Sequence, residues 1–490
     1  MGPMRPELLE VIKMIYRLAQ HVELVERDGG SFLVAKAPLC VLRLNRSLAE
    51  MVRLGMDGPL RAGTPGEAEV LEQLAAKGFV ERLRSVPDQP ASLPTVSVVI
   101  PVKDRAEELK RCLASLARLD YPKALIQVIV VDDGSRDDSP LVAREFGALV
   151  VPSGGTGRGP AAARNRGAEQ ARGEILAFID SDCTASETWL AELIPLFEDP
   201  KTAAVGGMVD GMCTTSAVDR YEAVMSSLSL GSRERSGSGG DDTFYLPSCN
   251  MLVRRTIFLA VCGFDDDMHV GEDVDLTWRL RDEGWTIAYL PLGRVYHEHR
   301  STLRSFMSRR FDYGTSEGLL QLLHPHRRKR MVIPPLLAFV LALCLMAPFT
   351  GCWSLLPAAG VLVADAMVVR LRFARRRLPI GLSALLAGRL RALGSLVYYL
   401  CYHLVRYYAP VLIAIALIAP LFCAVPVAVL ACAAGVDYAI RKPRLSFVGF
   451  TGIYLLEQIA YGAGVFWGCL RRKTFASYRV VILRQMELST

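Results

Sequence analysis

From Thr95 onward the chain alternates two kinds of apolar pattern. Val96 to Pro101 is an unbroken apolar run, as expected of a strand covered on both faces, and Arg105 to Leu119 is amphipathic with helical spacing. Ile126 to Val131 is a second buried run, Ser139 to Phe146 is short and helical, and Ala148 to Pro152 is a third strand. Ala161 to Arg172 again has helical character, and Ile175 to Ile179 is a fourth strand. This βαβαβαβ order predicts a parallel sheet with helices on both faces. Ligands in such folds sit outside the carboxyl ends of the strands, so the polar residues just after each strand are where chemistry is expected.

The pattern before residue 90 is different. Glu7 to Gln20 has helical spacing, followed by strand-like Val22 to Val25 and Phe32 to Ala35 around the turn signal Asp28-Gly29-Gly30. Helices are expected at Arg46 to Leu54 and at Pro65 to Lys77, the second stopped by Gly78. Residues 1–90 thus predict a small α+β module, a β-hairpin packed with a winged-helix-like pair. Gln89 to Pro94 is a linker to a catalytic domain over 95–325.

From residue 331 the chain loses its charges. Met331 to Pro348 has none, Cys352 to Val369 has only Asp365, and Thr350-Gly351 between them would allow a hairpin of two spans. Ala409 to Val436 carries no charge and is long enough to cross a bilayer core of roughly 30 Å. Leu445 to Leu470 is a weaker candidate because Glu457 interrupts it, and Leu382 to Tyr408, with Arg389, Arg391 and Arg406 among tyrosines and leucines, is expected to lie in the interface. Residues 331–470 therefore predict two to four spans, with 471–490 as a cytoplasmic tail. A set of buried core helices is the alternative.

Composition sharpens this picture. Apolar residues make up 51%, high for a wholly soluble protein, and the net charge is only +7. The basic residues gather beside the apolar runs, as in His326 to Arg330 and Arg370 to Arg377, which points to a cytoplasmic membrane surface and away from nucleic acid. The 12 cysteines contain no CxxC pair, which argues against a zinc site or disulfide framework and for a reducing compartment. Met1 to Glu10 has no apolar signal core, so the first 330 residues are expected in the cytoplasm, at the cell membrane.

Four polar segments follow the four predicted strands: Pro101 to Asp104, Asp132-Asp133-Gly134-Ser135, the Gly-rich Gly157 to Asn165, and Asp180-Ser181-Asp182. Their chemistry suits a nucleoside diphosphate. Asp133 or Asp104 can accept a hydrogen bond from a base N–H. Arg164, at a helix start, favours an anionic phosphate. The Asp-x-Asp pair offers hard oxygen ligands to Mg²⁺ or Mn²⁺. Each segment alone is a common turn or loop; it is their order on successive strands that carries the reading. A fifth cluster, Gly271-Glu272-Asp273, precedes helical residues. It is either ordinary acidic stabilisation of a helix start, about 0.3–1 kcal/mol, or a general base for an acceptor hydroxyl.

These segments, with Ala163-Arg164-Asn165, resemble the family 2 glycosyltransferases of GT-A fold over roughly Thr95 to Gly314. The resemblance implies a Rossmann-like, mostly parallel sheet and inverting transfer from a nucleoside-diphosphate sugar, usually a UDP-sugar, with a divalent metal (Mn or Mg). It implies donor contacts from Pro101, Asp104, Asp132, Asp133, Arg164, Asn165, Asp180 and Ser181, with Asp133 on the uracil. It implies metal ligation by Asp182, with Asp180 and His297, and catalysis by Asp273 as base beside Glu272. Asp104 stands where the family usually has Asn, and a lone His such as His297 is more often structural. Arg309 to Gly314 departs from the Gln-x-x-Arg-Trp of processive members, which leaves processivity open.

Phe32 to Leu44, Asn45 to Leu54 and Thr64 to Val80, with its Gly78-Phe79 ending, are together similar to the PqqD-type peptide-recognition domains of ribosomal-peptide maturation, which can grip a peptide as an added strand; the alternative is a regulatory or merely packing winged-helix module. A PqqD-like module, a family 2 domain and a membrane region in this order resemble the glycosyltransferases of mycofactocin systems. That implies a peptide-derived acceptor and glucose from UDP-glucose. The alternatives are a transferase for polyprenyl-phosphate, lipid or cell-wall glycan acceptors, and a catalytically dead sugar-nucleotide-binding protein. Intact Asp180, Asp182 and Asp273 argue against the last. Gly231 to Asp242 is Gly/Ser-rich, a connector or a lid over the acceptor.

Overall fold

The computed structural model describes residues 15–19, 21–27, 30–36, 39–56, 59–83, 92–240, 242–375, 380–418 and 423–484. Two compact units divide the described residues, one drawn from 1–88, 332–397 and 482–490, the other from 89–331 and 398–481.

The first unit opens with strand β1 (Ile15–Leu18), followed by β2 (Val22–Arg27), β3 (Gly30–Lys36), β4 (Leu39–Leu44), helix α1 (Arg46–Leu54), β5 (Leu60–Arg61), α2 (Pro65–Ala76) and β6 (Val80–Leu83). The strands form two three-stranded sheets, β2-β3-β4 and β5-β1-β6. The expected helix at Glu7 to Gln20 is corrected where it is described. Ile15–Leu18 pairs antiparallel with β6, and Tyr16 is fully buried; residues 7–14 and 20 of that segment, like Asp28-Gly29, lie outside the described residues. Strand pairing here overrides local helical spacing. Helix α1 starts where the Asn45 side chain accepts the Leu48 N–H at 2.8 Å, and α2 starts with a Thr64–Glu67 capping box. Leu33, Val52, Leu71 and Phe79 share one core. On the opposite face of β3, Phe32 and Val34 pack with Phe373 of a later helix of the same unit.

The second unit is built on an eight-stranded sheet. Its elements begin with β7 (Val96–Val102), α3 (Ala106–Leu116), β8 (Ile126–Asp132), α4 (Ser139–Glu145), β9 (Leu149–Pro152), α5 (Pro160–Gln170) and β10 (Ile175–Ile179). Strands β10, β7, β8 and β9 lie side by side and parallel. Val98 and Ile100 of β7 enter one core layer and Val99 the other, so the strand reads as an unbroken apolar run because both faces are covered.

After Asp180 the chain follows a different path: β11 (Cys183–Ala185), α6 (Trp189–Leu193), β12 (Thr202–Gly206), β13 (Val209–Gly211), α7 (Ala217–Met225), β14 (Arg235–Gly237), β15 (Asn250–Arg254), α8 (Arg255–Ala260), α9 (Glu272–Asp282), β16 (Thr286–Tyr289), β17 (Val295–His297) and α10 (Leu303–Leu323). Strand β15 inserts antiparallel between β10 and β12, giving the order β14-β16-β12-β15-β10-β7-β8-β9. A second, small sheet, β11-β17-β13, sits at the carboxyl edge. The result is a mixed α/β fold with a large, mostly parallel sheet.

The apolar region folds as α11 (Pro335–Leu345), α12 (Leu355–Arg375), α13 (Leu382–Ile418), α14 (Ala424–Arg441) and α15 (Phe447–Arg471). Among the described residues α13, α14 and α15 are long and apolar enough to cross a membrane. Leu382 to Tyr408 is the first of two helical stretches of α13, which meet at a kink at Tyr408 just before Pro410. Ala409 to Val436 is divided between α13 and α14, and within Met331 to Pro348 the helix α11 is too short to count among the candidate spans. Helix α15, the weaker candidate in the sequence, is a candidate span by its length and composition, and its Glu457 is buried beside Arg310 inside the second unit.

Helix α15 packs along α10 through glycines. A Cβ on Gly464 would stand 2.0 Å from the Phe311 carbonyl oxygen, and one on Gly314 would stand 2.3 Å from that of Tyr461. Only hydrogen fits at these crossings, so the two backbones touch.

Candidate active site

The polar ends of β7, β8 and β10 open into a cavity of about 780 Å³, with the start of α9 and one face of α10 forming further walls. Pro101, Asp133, Arg164, Asp180, Ser181, Asp182, Glu272, Asp273 and His297 all line it. Asp104, Asp132 and Asn165 do not.

Those three residues are occupied by the scaffold. Asp104 has a left-handed backbone (φ 52°), a conformation to which Asp and Asn are better suited than most residues, and its Oδ1 accepts the Arg136 N–H at 2.7 Å. The Asp132 carboxylate accepts the Ser135 N–H at 3.0 Å and closes the turn after β8. Asn165 donates to the Phe264 carbonyl and to Asp266, both at 2.7 Å, and accepts the Phe264 N–H, tying the loop before α9 to α5. Asp133 lines the cavity, but its oxygens already accept from Ser153 Oγ (2.7 Å) and from the backbone N–H groups of Arg158 (2.9 Å) and Gly159 (3.1 Å). It orders the Gly-rich loop that the sequence pattern singled out.

Arg164 is buried and its guanidinium spans two carboxylates, Asp180 at 2.6 Å and Glu272 at 2.9 Å. Burial works against the cation, but Asp180 and Glu272 hold its pKa above the usual value. Its role in the fold is thus to tie the end of β10 to the start of α9, and Asp180 faces Arg164 as well as the cavity.

Asp182 has a different neighbourhood. Strand β17 pairs antiparallel with β11 so that His297 lies opposite Cys183, which brings the imidazole Nε2 to 3.5 Å from Asp182 Oδ1. The other carboxylate oxygen pairs with Arg105. Burial pushes the Asp182 carboxyl up, yet His297 and Arg105 outweigh it and hold the pKa below the ordinary value. Potential ligand atoms of Asp182, Cys183 and His297 lie within 4.8 Å of one another. The Cys183 side chain packs in the buried core and sulfur is a soft donor, so it is a poor partner for a hard divalent cation. The carboxylate and imidazole remain as hard and borderline donors that fit Mg²⁺ or Mn²⁺ with open positions for water and phosphate oxygens. Asp180 is not part of this cluster among the described residues.

Gly271 takes a left-handed backbone (φ 84°) ahead of α9, and a Cβ there would stand 3.0 Å from the Ser316 side chain, so the turn into the helix needs glycine. It presents Asp273 to the cavity. The half-buried carboxylate accepts the Ser248 N–H at 3.1 Å and its neighbour's N–H at 2.8 Å. Loss of bulk water and the adjacent Glu272 charge raise its pKa to about 7, against the opposing pull of the Ser248 N–H and Arg164.

Several lining residues lay outside the sequence reading. Arg105 follows Asp104 and turns onto Asp182; Arg300 and Arg309 bring cations to the same end, Arg309 with its guanidinium 4.9 Å from the Tyr313 ring centre. His299 is buried two residues after His297, its pKa driven down to about 3 by burial and by His297. The His-x-His spacing on a strand was the one available signal. Arg310, Glu222 and Glu457 come from elements too far apart in the chain to be linked by pattern.

This arrangement of a Rossmann-like sheet edge, an acidic pair and a carboxylate at a helix start belongs to nucleotide-sugar transferases. The Glycosyl transferase family 2 profile matches residues 97–261. The chain belongs to the family 2 glycosyltransferases and is an enzyme of that class. It is 32% identical over 466 residues, 92% of this chain and 94% of the other, to the pre-mycofactocin glycosyltransferase of Mycobacterium tuberculosis. Over 205 residues it is 31% identical to the glycosyltransferase AglE of Haloferax volcanii, covering 41% of this chain and 65% of that one. Among solved structures it is similar to the mannosyltransferase PcManGT of Pyrobaculum calidifontis, with a TM-score of 0.40 and 21% identity over 66% of this chain and 94% of that one.

Proposed function

We propose that the chain transfers a sugar from a nucleoside-diphosphate sugar, UDP-glucose first among the candidates, to a hydroxyl of a peptide-derived acceptor of the mycofactocin type. The observation that carries the chemistry is one cavity holding both the Asp182–His297 pair and Asp273. The acceptor assignment is supported by similarity that runs through the amino-terminal module as well as the catalytic and apolar regions. In this reading the module of residues 1–90 holds the peptide, and the catalytic region of 95–325 faces the cytoplasm beside the basic clusters.

Asp273 accepts the acceptor proton as the hydroxyl oxygen bonds to the anomeric carbon. The bond from that carbon to the diphosphate oxygen breaks, with inversion. Asp182 and His297 would hold a divalent cation, which would supply positive charge for the departing diphosphate. Arg300 and Arg309 add cationic charge at that end, a role for which Arg164, paired twice, is the poorer candidate. With Asp133 satisfied by the loop, its contact with a base would come through its remaining acceptor capacity.

The test uses the purified full chain in detergent with UDP- and GDP-sugars and Mn²⁺, with and without a mycofactocin-type acceptor. Transfer of glucose to that acceptor, absent in Asp182→Ala, is the expected result. Unchanged turnover in Asp182→Ala would remove the metal assignment. The three candidate spans favour a second reading, in which the acceptor is a lipid or polyprenyl phosphate. Donor hydrolysis without transfer to the peptide-derived acceptor would direct the search there.

A further inference from the structure

Histidines that ligate metals normally take their orientation from a hydrogen bond at the second ring nitrogen. His297 lacks one: its Nδ1 is buried and has no hydrogen-bond partner among the described residues. What it has is a ring contact with His299, centroid to centroid 4.9 Å. His299 Nδ1 lies 3.4 Å from Glu222 Oε2, and the other Glu222 oxygen accepts from Arg310. Arg310 in turn faces Glu457 of α15, Nε to Oε1 3.1 Å, and Tyr221 donates its hydroxyl to the second Glu457 oxygen. His299, Glu222, Arg310, Glu457 and Tyr221 are all buried, and His297 is half-buried.

We propose that Glu457, on a helix long enough to cross a membrane, is a positioning residue for His297, acting through Arg310, Glu222 and His299. The physical reason is charge balance in a dry setting. Two carboxylates share one guanidinium, so each is held only in part. Remove the Glu457 charge and Arg310 draws Glu222 fully onto itself, which takes away the anchor of the His299 ring. Among the described residues no hydrogen bond at His297 Nδ1 holds its rotamer, so its Nε2 no longer stays beside Asp182. The glycine-lined contact between α10 and α15 keeps the two helices together independently, which makes the electrostatic link separable from the packing.

The inference rests on the metal reading above, and the experiment separates the two. Mn²⁺ binding to the purified full chain is measured in the presence of UDP from the loss of the free-ion electron paramagnetic resonance signal, alongside the half-saturating Mn²⁺ and kcat for donor turnover. Glu457→Gln is expected to weaken Mn²⁺ binding about tenfold, the scale on which outer partners of metal ligands act, with kcat at saturating Mn²⁺ falling much less. Glu457→Asp should recover most of the affinity. Glu222→Gln should shift it in the same direction, and decides the matter should Glu457→Gln not fold. Affinity within about twofold of the parent in these variants, with Asp182→Asn losing Mn²⁺, would overturn the relay alone. Retention of Mn²⁺ by Asp182→Asn would overturn the metal reading, and the relay with it.

Discussion

Asp273→Asn tests the catalytic argument where it is most exposed. The carboxyl pKa rises from 3.8 to about 7 on folding, because burial and Glu272 disfavour the anion. Asn keeps the shape but has one oxygen, so it can accept from Ser248 or from Val274 and not from both; the charge, the basicity and one hydrogen bond worth about 1 kcal/mol are lost. A base removed from the transition state costs a factor of about 10² to 10⁴ in kcat. The stability effect has the opposite sign. A folded pKa above the unfolded one means the folded state binds the proton more tightly, so this contribution is complete below about pH 4 and disappears as pH rises through about 7. Three units at 1.36 kcal/mol each give at most about 4 kcal/mol of destabilisation by the ionised group at pH 8. The variant should therefore be nearly inactive, bind UDP as the parent does, and melt at higher temperature than the parent at pH 8 but not at pH 4. For the parent, kcat/KM should fall about tenfold per pH unit below about pH 7. Turnover within about tenfold of the parent, or the same melting difference at both pH values, would refute the reasoning.

Other expectations follow from packing. Gly464→Ala places a methyl group against the Phe311 carbonyl and should lower stability in detergent by at least about 1–3 kcal/mol; unchanged melting would show that the helices do not meet as described. Arg164→Ala strands two carboxylates and should cost about 3–5 kcal/mol, so thermal unfolding should register it even under conditions where no donor is present. Phe79→Ala empties a fully buried site in the amino-terminal module and should cost about 3–5 kcal/mol, read as faster proteolysis within residues 1–90 while donor hydrolysis persists.

The four parallel strands and the polar turns after them were legible because each is a local pattern: an apolar run of strand length, then residues that cannot be buried. The same holds for α1 and α2, whose capping residues precede them in the chain. Misreadings arose where the deciding contact is distant. Ile15–Leu18 is a strand because β6 pairs with it, and the partners that Glu457 of α15 finds in Arg310 and Tyr221 are equally remote in the chain. Tertiary structure alone also sorted the acidic residues. Asp180, Asp182, Glu272 and Asp273 are equivalent as letters, yet Arg164 takes the first and third, His297 and Arg105 take the second, and the fourth is left half-buried at the cavity with its pKa raised. An ionisable side chain's role depends on which charges and how much water surround it. In a folded chain those surroundings include residues remote in sequence, 108 positions apart for Arg164 and Glu272, so local pattern can nominate a carboxylate but only the fold assigns its work.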